Sequence, residues 1–382
     1  MQYWCTSSSP THTKFCSASS DITLWKDVTD EEMDETLWSN LPDALVDRIA
    51  ASLPLPSLFR FRTVCKRFKH NLCRQSFRDN CEDVRKHAPH FLLVVQRAFG
   101  MAGLTYSLVF QKWYKMPFPV LDDSLSKFDI VASAGGLLCL KNKENSSLLV
   151  CNPITCSSRE LPPLHSTRTD SVAGMAMDPN GKDYKIILWR DEHTGPVTKV
   201  YTSKTNQWAL KRSVEISGDV LSDSGVVCAD YFYILVIRES SLSVLAYKIE
   251  QDAWHELHAP MPSDILYGFL INHWGSLLMV GGIGKNFPTK GISVWKLDQA
   301  KTSWIPILSM PTDLFDSLTE NFQLYDAFNC AGQGDHICFI ADRHTKALFY
   351  DFQRKAWQWS PHYTTGGSHH IVAIELSLNA IA

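Results

Sequence analysis

A few residue clusters in this 382-residue sequence have types and spacings that could do chemistry. Gly281-Gly282-Ile283-Gly284-Lys285 has the outline of a phosphate loop. A phosphate loop needs G-x-x-x-x-G-K-[ST]. Met279 stands at the first glycine and Asn286 at the Ser/Thr, so the segment is expected to be a turn between strands. His255 and His258 offer a metal pair. Residues three apart in a strand face opposite ways, so shared ligation is not expected. The adjacent His369 and His370 face apart for the same reason. Asn145-Ser146-Ser147 matches a glycosylation acceptor but is read as a polar turn. No G-x-S-x-G elbow is present. No cofactor or metal is expected, and the residues point to recognition rather than bond making.

Composition narrows the classes further. Apolar residues are 45% and charged residues 20%, as in a folded soluble chain. The length suggests two or three domains. Lys+Arg is 37 and Asp+Glu is 40, so the net charge is −3. That balance gives no sequence-independent grip on nucleic acid. No apolar run reaches the roughly 18 residues of a membrane span. Met1–Ser20 is Ser/Thr-rich without an apolar signal core, so secretion is not expected. The 11 cysteines include no C-x-x-C pair. They read as reduced, mostly buried thiols of a cytoplasmic and/or nuclear protein.

The elements that must hold any site fall into three regions. Residues 1–36 are expected to be a disordered tail, with seven acids between Asp21 and Glu35 against Lys26. Residues 37–86 are basic and helical. Pro42 suits a first helical turn, and Leu45, Ile49 and Leu53 form an apolar stripe. Pro54 and Pro56 break that helix, and Ser57 can cap another. Three short helices are expected.

Residues 90–382 carry a repeat. Tyr106…Trp113, Tyr201…Trp208, Tyr247…Trp254 and Tyr350…Trp357 place an aromatic seven residues before a tryptophan. Trp295…Trp304 reads as the same unit with two extra residues, and Val150–Ser158 puts Ser158 at the tryptophan. Reference positions 113, 158, 208, 254, 304 and 357 are spaced by 45, 50, 46, 50 and 53. A proline exit follows every unit but the one after Trp208. Four short strands per unit at this period predict a six-bladed β-propeller. His370–Leu376 is expected to complete the first blade and close the ring.

Two resemblances rest on these residues. Leu41, Pro42, Leu45, Ile49, Leu53, Leu58, Val64, Cys65 and Lys66 match L-P-x-x-L-x-x-x-I-x-x-x-L and the V-C-K that follows, with Phe68 where tryptophan is usual. That pattern resembles an F-box, which makes Cys65 a packing residue rather than a nucleophile. The glycine-led strands and Tyr/Trp pairs are similar to kelch repeats. Together they resemble plant F-box/kelch-repeat proteins.

The F-box resemblance implies docking of the ten residues from Leu41 to Phe68 on a Skp-family adaptor. Through it come the cullin and RING subunits of a ubiquitin ligase. The propeller would bind a target protein, without catalysis by this chain. The alternative is a kelch-propeller enzyme or small-molecule-binding propeller that carries an F-box. An adaptor-bound interaction protein without degradative output is a further alternative. The repeat tryptophans are expected to pack blades. Trp189, Trp274 and Trp359 fall outside the repeat and are the candidate substrate-contacting aromatics. Pro163–Val172, Arg190–Val197, Lys285–Lys290 and Asp313–Asp326 are the expected rim loops.

Overall fold

The structure is a computed structural model. It describes residues 41–53, 57–58, 60, 64, 66, 70, 74–85, 90–97, 100–116, 128–155, 157–164, 172–178, 181–192, 195–211, 219–220, 225–238, 241–320, 322, 328–341, 344–363 and 369–382. The expected acidic tail lies outside these residues, as do Cys65 and Phe68.

Helix α1 spans Asp43–Ser52. The carbonyl of Pro42 accepts the amides of Leu45 and Val46, so the proline opens the first turn. Helix α2 spans Gln75–Arg85. The expected middle helix lies mostly outside the described residues. Contacts divide the chain at Val46/Asp47, inside α1. Residues 47–85 thus share one compact unit with the propeller, although composition changes near residue 90. The reason is a cluster in which Ala50, Ala51, Leu58, Phe77 and Cys81 pack with Leu378 from the far end of the sequence.

The described strands form six antiparallel sheets. Blade 1 joins β25 (His369–Ile374) to β1 (His90–Arg97), β2 (Gly100–Ser107) and β3 (Lys112–Met116). Blade 2 holds β4 to β7 between Phe128 and Glu160, and blade 3 holds β8 to β11 between Val172 and Lys211. Blade 4 holds β12 to β16 between Asp219 and Glu256. Its inner strand is split, because both β12 (Asp219–Val220) and β13 (Val226–Cys228) pair with β14 (Tyr231–Arg238). Blade 5 holds β17 (Ile265–His273), β18 (Ser276–Ile283), β19 (Gly291–Leu297) and β20 (Trp304–Ser309). Blade 6 holds β21 (Phe328–Gln333), β22 (His336–Ala341), β23 (Leu348–Asp351) and β24 (Ala356–Trp359). The ring closes as expected, by β25 pairing with β1 in a register running from His90↔Ile374 to Val95↔His369.

The seven-residue spacing has a geometric cause. Tyr106↔Trp113, Tyr201↔Trp208, Tyr247↔Trp254 and Tyr350↔Trp357 are direct cross-strand partners. Their ring centroids lie 4.8, 5.3, 5.2 and 4.8 Å apart. Such pairs stabilise a sheet beyond simple burial. The residue two before each tryptophan has a left-handed backbone: Gln111, Asn206, Asp252 and Lys355, at φ 50 to 53. Asn and Asp tolerate that region well. Two tyrosines also tie down this corner. Tyr201 Oη donates to Asn206 Oδ1 at 2.8 Å and Tyr247 Oη to Asp252 Oδ1 at 2.6 Å.

Four sequence expectations need correction. Gly281, Gly282 and Ile283 lie inside strand β18 rather than in a turn. The expected rim loop Arg190–Val197 is mostly strand, with one strand running Tyr184–Glu192 and the next Gly195–Thr202. In blade 5 the partner of Trp304 is Leu297, not Trp295, so the hairpin has no insertion. Trp295 lies two residues earlier on the same strand face, because side chains repeat every second residue. The expected rim loop Asp313–Asp326 contains helix α3, Thr312–Thr319, which buries Phe315 and Leu318 against blades 5 and 6.

The proline exits also find a role. Trp208 Nε1 donates to the Pro162 carbonyl of the preceding blade at 2.9 Å, and Trp113 Nε1 to Pro361 at 3.1 Å. The third repeat has no proline exit, and there Trp254 Nε1 donates to Thr198 Oγ1 at 2.7 Å. Thr198→Val would leave that buried indole unpaired at almost constant volume. The expected loss is about 1–3 kcal/mol, read from urea unfolding. It should largely vanish in a Trp254→Phe background. Deleting residues 368–382 removes the closing strand with buried Ile371 and Ile374. Cooperative melting of the propeller should then disappear; an unchanged transition would contradict closure by β25.

Candidate functional site

The F-box surface can be built residue by residue. In the unit Met1–Val46, Leu41 is half-buried, Pro42 is exposed and Leu45 is 47% exposed. In the second unit Ile49 is 48% and Val64 69% exposed, and Lys66 is exposed. Ala50 and Ala51, adjacent to Ile49 in α1, are fully buried. One side of the helix is therefore packed while large apolar side chains of the motif face water. Single exposed apolar side chains are common on protein surfaces, so what sets these residues apart is their match to the motif.

Two residues of the expected adaptor set behave otherwise. Leu58 is 2% exposed, and Leu53 packs partly buried against the same cluster. Their match to the motif reflects the inner core of the helices, so contact with an adaptor is withdrawn for Leu58. Asp47, also buried, meets Arg74 Nη1 at 3.4 Å.

The propeller encloses an axial channel of about 880 Å³ lined by the inner strands of the blades. Its size would admit a small ligand, but several polar side chains along it are engaged between neighbouring blades. Ser133 Oγ donates to the Ala373 carbonyl at 2.8 Å. Asn272 Nδ2 donates to the Val227 carbonyl at 3.1 Å. Asn329 Nδ2 lies 3.1 Å from His370 Nδ1, and Gln333 Oε1 accepts the His90 amide at 3.2 Å. The first three bonds join inner strands to one another, and the last joins the inner strand β21 to β1, the second strand of blade 1. Burial pushes the Cys139 and Cys228 thiols up to about 12 and about 11. They stay protonated near neutral pH and are poor nucleophiles. Among the described residues, no group of three or more His, Cys, Asp or Glu is placed to hold a metal.

The three candidate tryptophans do not converge. Trp189 is 3% exposed and packs with Ile187, Val200 and Phe232 between blades 3 and 4, so it cannot reach a target. Trp359 is half-buried and stacks on His344 at 5.1 Å. Only Trp274 is strongly exposed, at 59%. It sits in the β17–β18 turn with a left-handed backbone, φ 49, at one end of the channel. Its indole N–H donates to Asp335 Oδ1 at 2.8 Å, and Gln353 Nε2 holds the other carboxylate oxygen at 2.6 Å.

Sequence reasoning missed the groups behind Trp274. His273 Nε2 lies 3.7 Å from Asp335 Oδ1, and its ring is 4.6 Å from that of Phe352. His336 Nε2 lies 3.5 Å from Asp351 Oδ2. Each histidine precedes or follows a strand turn, and only the fold brings blades 5 and 6 together there.

Two family models match this chain. Residues 38–80 match the F-box domain. Residues 107–360 match the F-box associated beta propeller domain. The chain belongs to the F-box-associated β-propeller family. It is similar to Protein UNUSUAL FLORAL ORGANS of Arabidopsis thaliana, 27% identical, covering 88% of this chain and 81% of that protein. An F-box/kelch-repeat protein of the same plant is 26% identical and covers 84% of each chain. Protein ABERRANT PANICLE ORGANIZATION 1 of Oryza sativa subsp. japonica is 25% identical, covering 87% and 84%. The crystal structure of TolB from Acinetobacter baumannii superposes with a TM-score of 0.51 at 9% identity, covering 79% of this chain and 72% of that one. That likeness shows the fold alone.

This F-box protein should lose stability in mild acid through His273 and His336. Burial holds both imidazoles below their ordinary 6.5, against the pull of Asp335 and Asp351. The unfolded chain then binds more protons than the native one as pH falls through 6.5, so stability declines there. Urea midpoints from pH 7.5 to 5 should fall, and a His273→Gln/His336→Gln double variant should show a shallower slope. An identical slope would contradict the assignment.

Proposed function

We propose that this chain is the substrate-recognition subunit of a Skp–cullin–F-box ubiquitin ligase. The F-box docks on a Skp-family adaptor, and the adaptor brings the cullin and RING subunits. The propeller binds a target protein. The observation that carries this reading is α1 itself: Ala50 and Ala51 pack inward, while Leu45 and Ile49 of the motif stand in water.

The chain makes and breaks no bonds in this scheme. It raises the effective concentration of a target lysine near the ubiquitin-charged enzyme. The small-molecule alternative is less well supported, because channel-facing polar groups already link the blades. Trp274 is the aromatic best placed to meet a target. The six described cysteines are all buried, and the setting proposed for the chain is cytoplasmic or nuclear.

Burying one large apolar side chain contributes about 1.5–3 kcal/mol. Leu45→Ala with Ile49→Ala should therefore weaken adaptor binding by about 100-fold or more, measured by calorimetry with purified adaptor. Both side chains are exposed, so propeller melting should not change. Unaltered affinity would overturn the docking surface.

A further inference from the structure

The segment Glu375–Ala382 follows the closing strand β25 and belongs to no blade. We propose that it is a fixed strap that seats the F-box helices on the propeller, with Asn152 as its positioning residue. The mechanical claim stands on the contacts below; its consequence for ubiquitin transfer rests on the function proposed above.

The propeller end of the strap is held by one buried amide. Asn152, at the C-terminal end of β6 (Leu148–Asn152), is completely buried. Its Nδ2 donates to the Ser377 carbonyl at 3.0 Å and the Ala380 carbonyl at 2.8 Å. Its Oδ1 accepts the amides of Ile154 at 2.8 Å and Thr155 at 3.2 Å. One side chain therefore shapes the β6–β7 turn with its acceptor and grips the strap with its donor. Ser377 Oγ accepts the amides of Asn379 and Ala380, both at 3.1 Å, which curls the strap back on itself. Gly136 makes the room. It has φ +88, and a Cβ there would lie 2.6 Å from the Ser377 Cβ. Ala380 and Ala382 then enter the core shared by blades 2 and 3.

The F-box end is held by the intervening residues. Leu378 is buried with Leu58, Phe77 and Cys81. Asn379 Oδ1 accepts from Gln75 Nε2 at 3.0 Å, and its Nδ2 donates to Asp79 Oδ1 at 2.9 Å. Gln75 Nε2 also reaches Asp79 Oδ1 at 2.9 Å, closing a three-residue network. Ser377 and Ala380 thus hold the propeller while Leu378 and Asn379 between them hold the F-box helices, so neither can rotate without breaking these contacts. A loose joint would spread the propeller over many orientations. The effective concentration of a target lysine near the transfer site would fall accordingly.

Asn152→Asp isolates the grip. A carboxylate keeps the acceptor that shapes the turn but cannot donate to Ser377 and Ala380. Leu378→Asp detaches the strap from the F-box side without touching Asn152. The full chain would carry donor and acceptor fluorophores at the exposed residues Asn80 and Lys355. Time-resolved energy transfer then reports the distance distribution between α2 and blade 6. The unmodified chain should give one narrow distribution. Both variants should broaden it. Each lowers the melting temperature, because the strap residues are buried, but the propeller should still unfold in one cooperative transition. A broad distribution in the unmodified chain, or a narrow one in both variants, would overturn the strap. Should Asn152→Asp fail to fold, Leu378→Asp decides alone. Absent adaptor binding with a narrow distribution would overturn the receptor reading and leave the strap intact.

Discussion

A four-stranded sheet of apolar strands has two faces to cover, and no single blade here can cover its own. Tyr201 and Val200 are neighbours on one strand, yet both are buried, in different clusters on opposite sides of the blade. Phe232 and Tyr233 repeat this one blade later. The only way to cover every face is to close the ring. Closure in turn depends on β25, which brings residues 274 to 284 positions apart into register with β1. The inner-strand hydrogen bonds, the indole contacts and the axial channel all exist because that ring is closed.

The same closure places Glu375–Ala382 beside the helices of the F-box. Its residues act on both sides at once, so the propeller's last strand and the F-box core are parts of one packed unit. Ile49 stands exposed on the far side of buried Ala50 and Ala51. Under the proposed function, the adaptor-docking face is thereby held fixed with respect to the propeller that takes the target. A receptor of the proposed kind needs this rigidity, because it contributes geometry rather than bond chemistry.

Much of the fold was legible in the sequence. The seven-residue Tyr–Trp spacing is set by a four-residue turn between cross-strand partners, so the period could be read without coordinates. The proline exits and their one exception after Trp208 were also visible, although their acceptor role needed the neighbouring blade. Trp295 misled because a strand offers the same face every second residue. Trp189 misled because absence from a repeat register does not imply exposure. The F-box pattern is specific, but a pattern records core and contact residues alike and does not by itself separate buried Leu58 from exposed Ile49. Asn152 lies in the Val150–Ser158 unit of the repeat. Nothing local could show that its partners lie 225 and 228 residues away.

The central claim is that one chain joins a ligase adaptor to a protein target. Quantitative capture from plant cells under proteasome inhibition tests it most directly, comparing the full chain with one lacking residues 38–80. The account predicts that the adaptor is recovered only with the full chain. It also predicts that both forms recover a shared target, whose abundance rises when only the shortened form is expressed. Equal recovery of the adaptor by both forms, or a target whose abundance ignores the deletion, would contradict it.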